Sequence, residues 1–348
     1  MNNIIKLMRE DFQQFEPYRS ARSITQTGKM MLDANELPWD NYLNRYPLQQ
    51  SNELLTCLAN YYQLAINQLL VTRGSDEGID LLVRLFCCAN RDAIMICPPT
   101  FGMYEISAKL QAAKIISVPL MEKQEFQLDI ASITRCWTPA VKILFLCSPN
   151  NPTGGLIDKN DILLLCKRFS DKCLIVVDEA YIEFSDRTSL SKYINDYYNL
   201  IVLRTLSKAF GLAAARIGVV LTNSTIVNFL RKILAPYPLS ILSIKAALDA
   251  FQPDQLISVL NKIAIIKKER EKLTKELKML SIVEKIWPSQ ANFLLVKFKC
   301  NIEKICIEKG IILRNMEQKM GINNIIRISI GKPQDNAELL KILMEIRK

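Results

Sequence analysis

Between residues 69 and 221, short apolar runs alternate with longer stretches whose apolar positions recur at helical spacing. The apolar runs predict seven strands, at residues 69–72, 93–97, 115–118, 143–147, 174–178, 201–204 and 217–221. The stretches between and after them predict helices at residues 77–89, 103–112, 161–169 and 226–234. Continuous runs of Val, Ile and Leu that are separated by helices are typical of parallel strands covered on both faces. The pattern therefore predicts an α/β fold around a mostly parallel seven-stranded sheet.

The pattern changes after residue 238. Two long helices are predicted at residues 241–250 and 254–280, and the second is dense in charges of both signs. Shorter strands and helices follow, at residues 292–298, 302–309, 311–314, 325–330 and 337–346. We expect a smaller α+β C-terminal domain, joined through a long helix. The predicted organisation is an N-terminal arm (1–25), a large domain (26–240) and a small domain (241–348).

Composition removes several classes of chemistry. The 348 residues include no histidine, which excludes Ser-His-Asp catalysis, Cys-His catalysis and histidine metal sites. The ten cysteines form no C-x-x-C pair, so we expect free thiols in a reducing compartment and no bound metal. Any catalysis must then depend on Lys, Tyr, Asp, Cys or a cofactor.

The net charge of +10 would suit a nucleic-acid partner, but the basic residues are scattered among acidic ones and no groove-reading motif is present. The apolar runs are too short to cross a bilayer. Acidic residues lie near the N-terminus, where a signal peptide needs an uninterrupted apolar segment. We therefore expect no nucleic-acid partner, no membrane association and a cytoplasmic location.

Lys208 lies just past the predicted strand at 201–204, with Ser207 before it and Arg216 after it. Burial disfavours the charged form of a lysine, so a lysine placed there is expected to use its amine chemically. An amine that is neutral enough to react, beside an arginine, indicates a Schiff base next to a bound phosphate. The alternative is a Ser-Lys hydrolase dyad, but adjacent residues on a helix do not face each other.

Three other polar motifs follow predicted strands, at the edge of the sheet where ligands bind in such folds. Asn151 lies in a segment rich in Asn, Pro and Gly, which by itself is typical of an ordinary turn. Asp178, with Tyr181 after it, could cap a helix, hold magnesium or hold a cationic ring nitrogen. The segment 73–78 places backbone amides at a strand-to-helix junction, where they could bind an anion or where Ser75 and Asp76 could simply cap the helix.

The order and spacing of these motifs resemble those of the fold-type I aminotransferases, which are pyridoxal-phosphate enzymes. The similarity extends over essentially the whole chain and is greatest to the histidinol-phosphate aminotransferases. It is carried by segments 16–22, 32–36, 44–47, 97–104, 178–184, 235–240 and 312–314. The resemblance implies a large domain with a mostly parallel seven-stranded sheet and a smaller α+β C-terminal domain.

The resemblance also implies roles at the cofactor ring. Lys208 would hold pyridoxal phosphate as a Schiff base and then, once released, move the proton between the substrate carbon and the cofactor. Asp178 would pair with the ring nitrogen and keep it protonated. Asn151 and Tyr181 would donate hydrogen bonds to the phenolic oxygen, and Tyr104 would stack on the ring face.

Further residues are implied for the two anionic groups. The residues implied for the cofactor phosphate are the backbone of Gly74, Ser75 and Asp76, the side chains of Thr205 or Ser207 and of Arg216, and Tyr46 from a partner subunit. The residues implied for the acidic group of the substrates are Arg327 and Arg314, with Tyr18 touching the substrate phosphate.

Two departures from the family pattern are visible. Ala214 and Ala215 stand before Arg216 where the family commonly has a glycine and then a leucine. The spacing from Lys208 to Arg216 is kept, so we expect the phosphate contact with an altered turn. Phe101 stands where a tyrosine is common, and any contact of that hydroxyl with substrate would be absent here.

The activity implied is that of a homodimer with shared active sites. It would convert L-histidinol phosphate and 2-oxoglutarate to imidazole acetol phosphate and glutamate, a reversible step of histidine synthesis. The alternatives are another fold-type I aminotransferase for aromatic or acidic amino acids, and a phosphoamino-acid decarboxylase. A more remote alternative is a regulator that senses pyridoxal phosphate, which would need a separate DNA-binding module.

Overall fold

The structure is a computed structural model and describes residues 3–18 and 30–346. A seven-stranded sheet forms its largest part, with the strand order β1-β7-β6-β5-β4-β2-β3. Its strands are β1 (Leu69–Arg73), β2 (Ala93–Ile96), β3 (Lys114–Ser117), β4 (Val141–Cys147), β5 (Leu174–Asp178), β6 (Leu200–Thr205) and β7 (Ile217–Leu221). Strands β3, β2, β4, β5 and β6 are parallel, and β7 is antiparallel to both β1 and β6. The predicted mostly parallel seven-stranded sheet is confirmed.

Helices cover both faces of this sheet. They are α1 (Glu10–Gln13), α2 (Asn52–Tyr62), α3 (Gly74–Phe86), α4 (Met103–Leu110), α5 (Ile130–Cys136), α6 (Lys159–Arg168), α7 (Ser224–Ile233) and α8 (Ile241–Ala250). Alternate strand residues enter opposite cores: Val177 belongs to the core that includes residues of α2, α5, α6 and α8, and Val176 to the core that includes residues of α3, α4 and α7. This is the packing that apolar runs without alternation predict, because neither face of such a strand meets water.

The C-terminal part is built on a second, antiparallel sheet in the order β10-β11-β9-β8. Its elements are α9 (Pro253–Lys278), β8 (Val283–Ile286), β9 (Phe293–Phe298), α10 (Glu303–Glu308), β10 (Arg314–Asn315), α11 (Glu317–Met320), β11 (Ile325–Ser329) and α12 (Pro333–Glu345). Helices α9 and α12 bury its apolar face, and residues such as Leu273 and Leu340 join that core. The order of elements matches the expected smaller α+β part.

Some elements differ from their predictions. The segment 311–314 was expected as a strand, but only Arg314–Asn315 pairs with β11. Helix α3 begins at Gly74 rather than at residue 77. Its first turn therefore contains Ser75 and Asp76, which the sequence had placed between the strand and the helix. Helix α2 and strand β8 were not predicted. The arm beyond residue 18 lies outside the described residues, and the division into arm, large domain and small domain stays a prediction.

Within the described ranges, no helix is both long and apolar enough to span a membrane. No cluster of Cys, Asp and Glu in the same ranges has the makeup of a metal site.

Arg270 of α9 joins the two parts of the chain. Its guanidinium is buried and donates to the carbonyl oxygens of Phe184 and Ala291, both at 2.9 Å. Phe184 follows β5 of the large sheet, and Ala291 precedes β9 of the small one. Burial lowers the pKa of Arg270. The paired backbone oxygens satisfy a side chain that would otherwise be costly to bury.

Replacing Arg270 by methionine should lower the free energy of unfolding by about 2–4 kcal/mol, because two buried carbonyl groups lose their donor. Urea unfolding monitored by circular dichroism measures this loss. The matched control is Lys268→Met on the same helix, which lies on the exposed side and should change stability by less than about 0.5 kcal/mol. Equal effects of the two variants would show that Arg270 does not join the two parts.

Candidate active site

The carboxyl ends of β4, β5 and β6 lie side by side and carry the predicted chemistry. Cys147 pairs with Asp178, and Asp178 pairs with Leu203, so these strands end at one level. A cavity of about 90 Å³ opens there. The predicted site residues that line it are Ser75, Asp76, Asn151, Asp178, Tyr181, Thr205, Ser207, Lys208 and Arg216. Residues that are far apart in sequence therefore share one cavity.

Lys208 reaches this cavity from the segment that follows β6. The sequence placed it in a buried setting, but its side chain is accessible from the cavity because β6 has already ended at Thr205. Partial burial lowers the pKa of the amine, and the positive charges of Arg327 and Arg216 lower it further. The amine lies 5.7 Å from the ring centre of Tyr181. A larger neutral fraction of this amine makes it a better nucleophile and proton acceptor.

Asp178 is the buried acid of the site. Only 2 % of its surface is exposed, and burial raises the pKa of its carboxyl to about 6. Its Oδ1 accepts from the backbone N–H of Ala180 at 3.1 Å, and its Oδ2 accepts from the hydroxyl of Tyr104 at 2.8 Å. Both bonds favour the ionised form, yet among the described residues Asp178 forms no salt bridge. A cation placed in the cavity would therefore be favoured beside it.

Asn151 and Tyr181 form the opposite side. The amide nitrogen of Asn151 donates to the Tyr181 hydroxyl at 3.4 Å, and Arg327 donates to the amide oxygen of Asn151. Burial raises the pKa of Tyr181, so its hydroxyl stays protonated. These groups present hydrogen-bond donors to the cavity and connect β11 of the small sheet to it.

The start of α3 forms a close-packed anion cradle. Gly74 has a φ of +74°, and a Cβ added to it would lie 2.6 Å from Nη2 of Arg216. A Cβ on Gly218 would lie 2.2 Å from the carbonyl carbon of Gly74 and 2.3 Å from the nitrogen of Ser75. The backbone amides that open a helix and a nearby guanidinium are the donors that bind phosphate.

Arg216 itself has a φ of +55°, which is unusual for a residue other than glycine. Its guanidinium reaches Asp76 at 3.0 Å and Ser207 at 3.4 Å. Arg216 therefore lines the cavity although Ala214 and Ala215 replace the family's glycine and leucine, and its contact with a phosphate stays a prediction. Thr205 accepts from the backbone N–H of Ser207 at 3.1 Å and shapes the same turn.

Tyr104 does not occupy the place that the sequence predicted for it. It is fully buried, its ring stacks on Phe145 of β4 with centroids 4.7 Å apart, and its hydroxyl is bonded to Asp178. Phe101, three residues earlier, lines the cavity instead. The reason is that Tyr104 lies inside α4, which faces the sheet, whereas Phe101 precedes that helix. The structure therefore places Tyr104 behind the cavity wall rather than in it, and Phe101 is the better candidate for stacking on a ring there.

Arg314 and Arg327 lie directly opposite each other across the β10–β11 ladder. Partial burial lowers the pKa of Arg327, which Arg314 lowers further. Lys319 of α11 joins them as a third cation that sequence reasoning missed. Its pKa is lowered by burial and by both arginines, and its amine lies 3.9 Å from the point where Gly102 would carry a Cβ. A lysine in a short polar segment has no sequence signal that would identify it.

Three buried charges behind the site were also missed. Arg204 lies 2.7 Å from Glu183 and 3.7 Å from Glu179. Glu179 follows Asp178 and Arg204 precedes Thr205, so this cluster clamps the end of β5 to the end of β6. A charged residue within an apolar strand is the one signal that could have indicated it.

Tyr46 and Tyr18 do not reach the cavity within one chain. Tyr46 is half exposed and its ring stacks on Tyr237 with centroids 4.3 Å apart. Tyr18 is largely exposed. Their predicted roles in a shared site stay predictions.

Comparison with known proteins gives the family. The sequence pattern of the family "Aminotransferase class I and II" matches residues 24–343. A protein named histidinol-phosphate aminotransferase from Francisella philomiragia subsp. philomiragia is 44% identical over 342 residues, which cover 98% of this chain and 95% of that protein.

Solved structures share the fold. The crystal structure of the histidinol-phosphate aminotransferase from Clostridium acetobutylicum superposes with a TM-score of 0.78 at 25% identity, over 87% of this chain and 90% of that one. The enzyme of the same name from Sinorhizobium meliloti, in complex with pyridoxal-5'-phosphate, gives a TM-score of 0.76 at 23% identity, over 87% and 83% of the two chains. The predicted fold class is confirmed, and the chain belongs to the aminotransferase class I and II family.

Proposed function

We propose that this protein is a pyridoxal-phosphate-dependent aminotransferase that converts L-histidinol phosphate and 2-oxoglutarate to imidazole acetol phosphate and L-glutamate, reversibly, in histidine biosynthesis. The observation that carries the proposal is the meeting of Lys208, Asp178 and an anion cradle in one cavity. The choice of substrate is supported by the relative that is 44% identical over 98% of this chain and is named for that activity.

The residues present fit pyridoxal phosphate. A side chain on Gly74 or Gly218 would overlap Arg216 or the backbone that opens α3, so the groups left to meet a phosphate there are backbone amides and the guanidinium. Asp178 is a buried carboxylate that forms no salt bridge among the described residues, which suits a protonated ring nitrogen. When bound, this cofactor supplies an aldehyde that condenses with amines and a ring that withdraws electrons from the substrate carbon.

Each side chain then has a task that its surroundings support. Lys208, with its lowered pKa, holds the cofactor and later carries the proton of the substrate α-carbon. Asp178 keeps the ring nitrogen protonated. Asn151 and Tyr181, which line the cavity, would donate hydrogen bonds to the phenolic oxygen, and Phe101 would cover one face of the ring.

Arg327 and Arg314 suit both amino donors, because histidinol phosphate carries a phosphate and glutamate carries carboxylates. The two guanidiniums lie across one ladder, and Lys319 adds a third positive charge beside them. A cluster of this kind favours a phosphate or a carboxylate.

A homodimer would complete the site. Apolar side chains are exposed along one segment that precedes α2: Met30, Leu32, Leu37, Trp39, Tyr42, Leu43, Tyr46 and Leu48. Contiguous exposed apolar residues of this kind are typical of interfaces. In this arrangement Tyr46 and Tyr18 reach the active site of the second subunit. The other binding partners are small-molecule substrates, and the protein acts in the cytoplasm.

A donor screen tests the activity. With 2-oxoglutarate as acceptor, kcat/KM should be about 10–100-fold higher for histidinol phosphate than for phenylalanine, tyrosine or aspartate, because those donors lack the phosphate that the cations bind. Threonine phosphate provides the comparison that keeps the phosphate. Release of carbon dioxide without formation of glutamate would instead indicate a decarboxylase.

Replacing Lys208 by alanine should reduce transamination by about 10²–10⁴-fold, because the proton carrier is lost. Borohydride should fix the cofactor on Lys208 of the wild type, as located by peptide mapping. Lys268→Ala, on an exposed side of α9, is the control and should keep full activity and labelling. Labelling at another lysine would overturn the assignment.

Replacing Arg327 by alanine should raise KM about 10–100-fold for both histidinol phosphate and glutamate, because each loses a charge-assisted hydrogen bond. Arg327→Lys keeps the positive charge without the planar guanidinium, so its KM should lie between the values of the wild type and Arg327→Ala. Steady-state kinetics with each donor measure the effect. A selective loss for one donor would mean that the two anionic groups do not share this site.

A further inference from the structure

The Asp178 carboxylate has a side-chain partner that faces away from the cavity. Tyr104 is the second residue of α4, and its hydroxyl donates to Oδ2 of Asp178 at 2.8 Å. The backbone N–H of Ala180 donates to the other oxygen at 3.1 Å. Each oxygen thus has one donor, which determines the plane of the carboxylate.

The Tyr104 ring is held firmly. It is fully buried, stacks on Phe145 with an interplanar angle of 5°, and meets Phe101 edge-on with centroids 5.7 Å apart. Since Phe101 lines the cavity, Tyr104 lies directly behind the cavity wall. The hydroxyl is therefore aimed at one oxygen and cannot turn away without breaking the stack.

The hydrogen bond from Tyr104 affects how readily Asp178 ionises. Burial raises the pKa of Asp178 to about 6, while the Tyr104 and Ala180 bonds act in the opposite direction. Burial raises the pKa of Tyr104 well above its usual range, so the hydroxyl remains a neutral donor. In a chain without histidine, a tyrosine can serve this carboxylate without itself changing charge between pH 5 and 9.

We propose that Tyr104 is a positioning residue whose hydroxyl holds the Asp178 carboxylate, ionised and oriented, for the protonated ring nitrogen of pyridoxal phosphate. This inference rests on the proposed function and adds a residue that does not touch the cofactor. A purely packing role predicts something different, because phenylalanine would then serve equally well at this position.

The test is Tyr104→Phe, which keeps the stacked ring and removes one oxygen. The matched control is Tyr62→Phe, which removes a buried hydroxyl that has no hydrogen-bond partner among the described residues. Affinity of each cofactor-free protein for pyridoxal phosphate is measured by calorimetry between pH 5.5 and 9. Thermal unfolding of each variant shows whether the fold is kept.

Tyr104→Phe should bind pyridoxal phosphate about tenfold more weakly at pH 7, and Tyr62→Phe should bind like the wild type. Without the hydroxyl the Asp178 pKa rises, so a smaller fraction is ionised at a given pH. The acid-side midpoint of binding should therefore move up by about one pH unit, and the difference should shrink above pH 8. In turnover, kcat should fall while KM for the amino donor changes little.

Other titratable groups face Asp178 and are present in both proteins. They are Asp76 of α3, Cys147 of β4, Tyr181 after β5 and Lys208 after β6. Because they are unchanged, the shift between variant and wild type reports on the missing hydroxyl.

The outcomes separate this inference from the function. If the wild type binds the cofactor and Tyr104→Phe keeps its affinity and pH profile, Tyr104 only packs and the inference is wrong. If the wild type binds no pyridoxal phosphate, the proposed function and the inference fall together. If Tyr104→Phe unfolds, Phe145→Leu removes the ring on which Tyr104 stacks and so frees the hydroxyl to leave Asp178. The acid-side midpoint of binding should then move up in the same direction, and an unchanged midpoint would contradict the inference.

Discussion

The carboxylate of Asp178 lies at the end of a fully buried strand, and much of the site is arranged around the cost of keeping it there. An ionised group loses its hydration on burial. Here two hydrogen bonds, from Tyr104 and Ala180, offset part of that loss, and a cation bound in the cavity would offset more. The parallel register places Asp178 level with Cys147 on one side and Leu203 on the other. Lys208, which follows the β6 strand, is thereby brought to the same cavity.

A second constraint is the contact between three backbone segments. Gly218 of β7 lies so close to Gly74 and Ser75 that a side chain on it would overlap their backbone. This contact holds the first turn of α3 against the sheet, and Asp76 of that turn pairs with Arg216 at 3.0 Å. The anion cradle is thus a consequence of how tightly β1, β7 and α3 pack, and the positive φ of Arg216 is held by the same packing.

Much of this could be predicted from sequence. Runs such as 174–178 carry so many branched apolar residues that only a strand buried on both faces fits them. Polar residues directly after such runs must lie at one edge of the sheet, which identifies Asp178 and the region of Lys208. The small sheet was less visible, because β10 has only two residues and β8 is partly exposed.

Two aromatic residues show where sequence reasoning ends. Phe101 and Tyr104 lie three positions apart, and the resemblance to the family favoured Tyr104 for the ring face. The start of α4 determines which of the two lines the cavity, because it directs Tyr104 toward Phe145 and Asp178 and leaves Phe101 at the cavity wall. The order of residues cannot reveal this choice, because it depends on how the helix is rotated against the sheet.

By itself, the sequence determined the strands of the large sheet, the absence of histidine chemistry, and the residues that end the central strands. These follow from local periodicity and from residue type, which need no knowledge of distant contacts. Only the tertiary structure decided that Lys319 joins the two arginines, that Arg204 and its glutamates clamp two strands, and that the Tyr104 hydroxyl meets Asp178. Those contacts join residues remote in the chain, and their geometry is determined by packing rather than by local pattern.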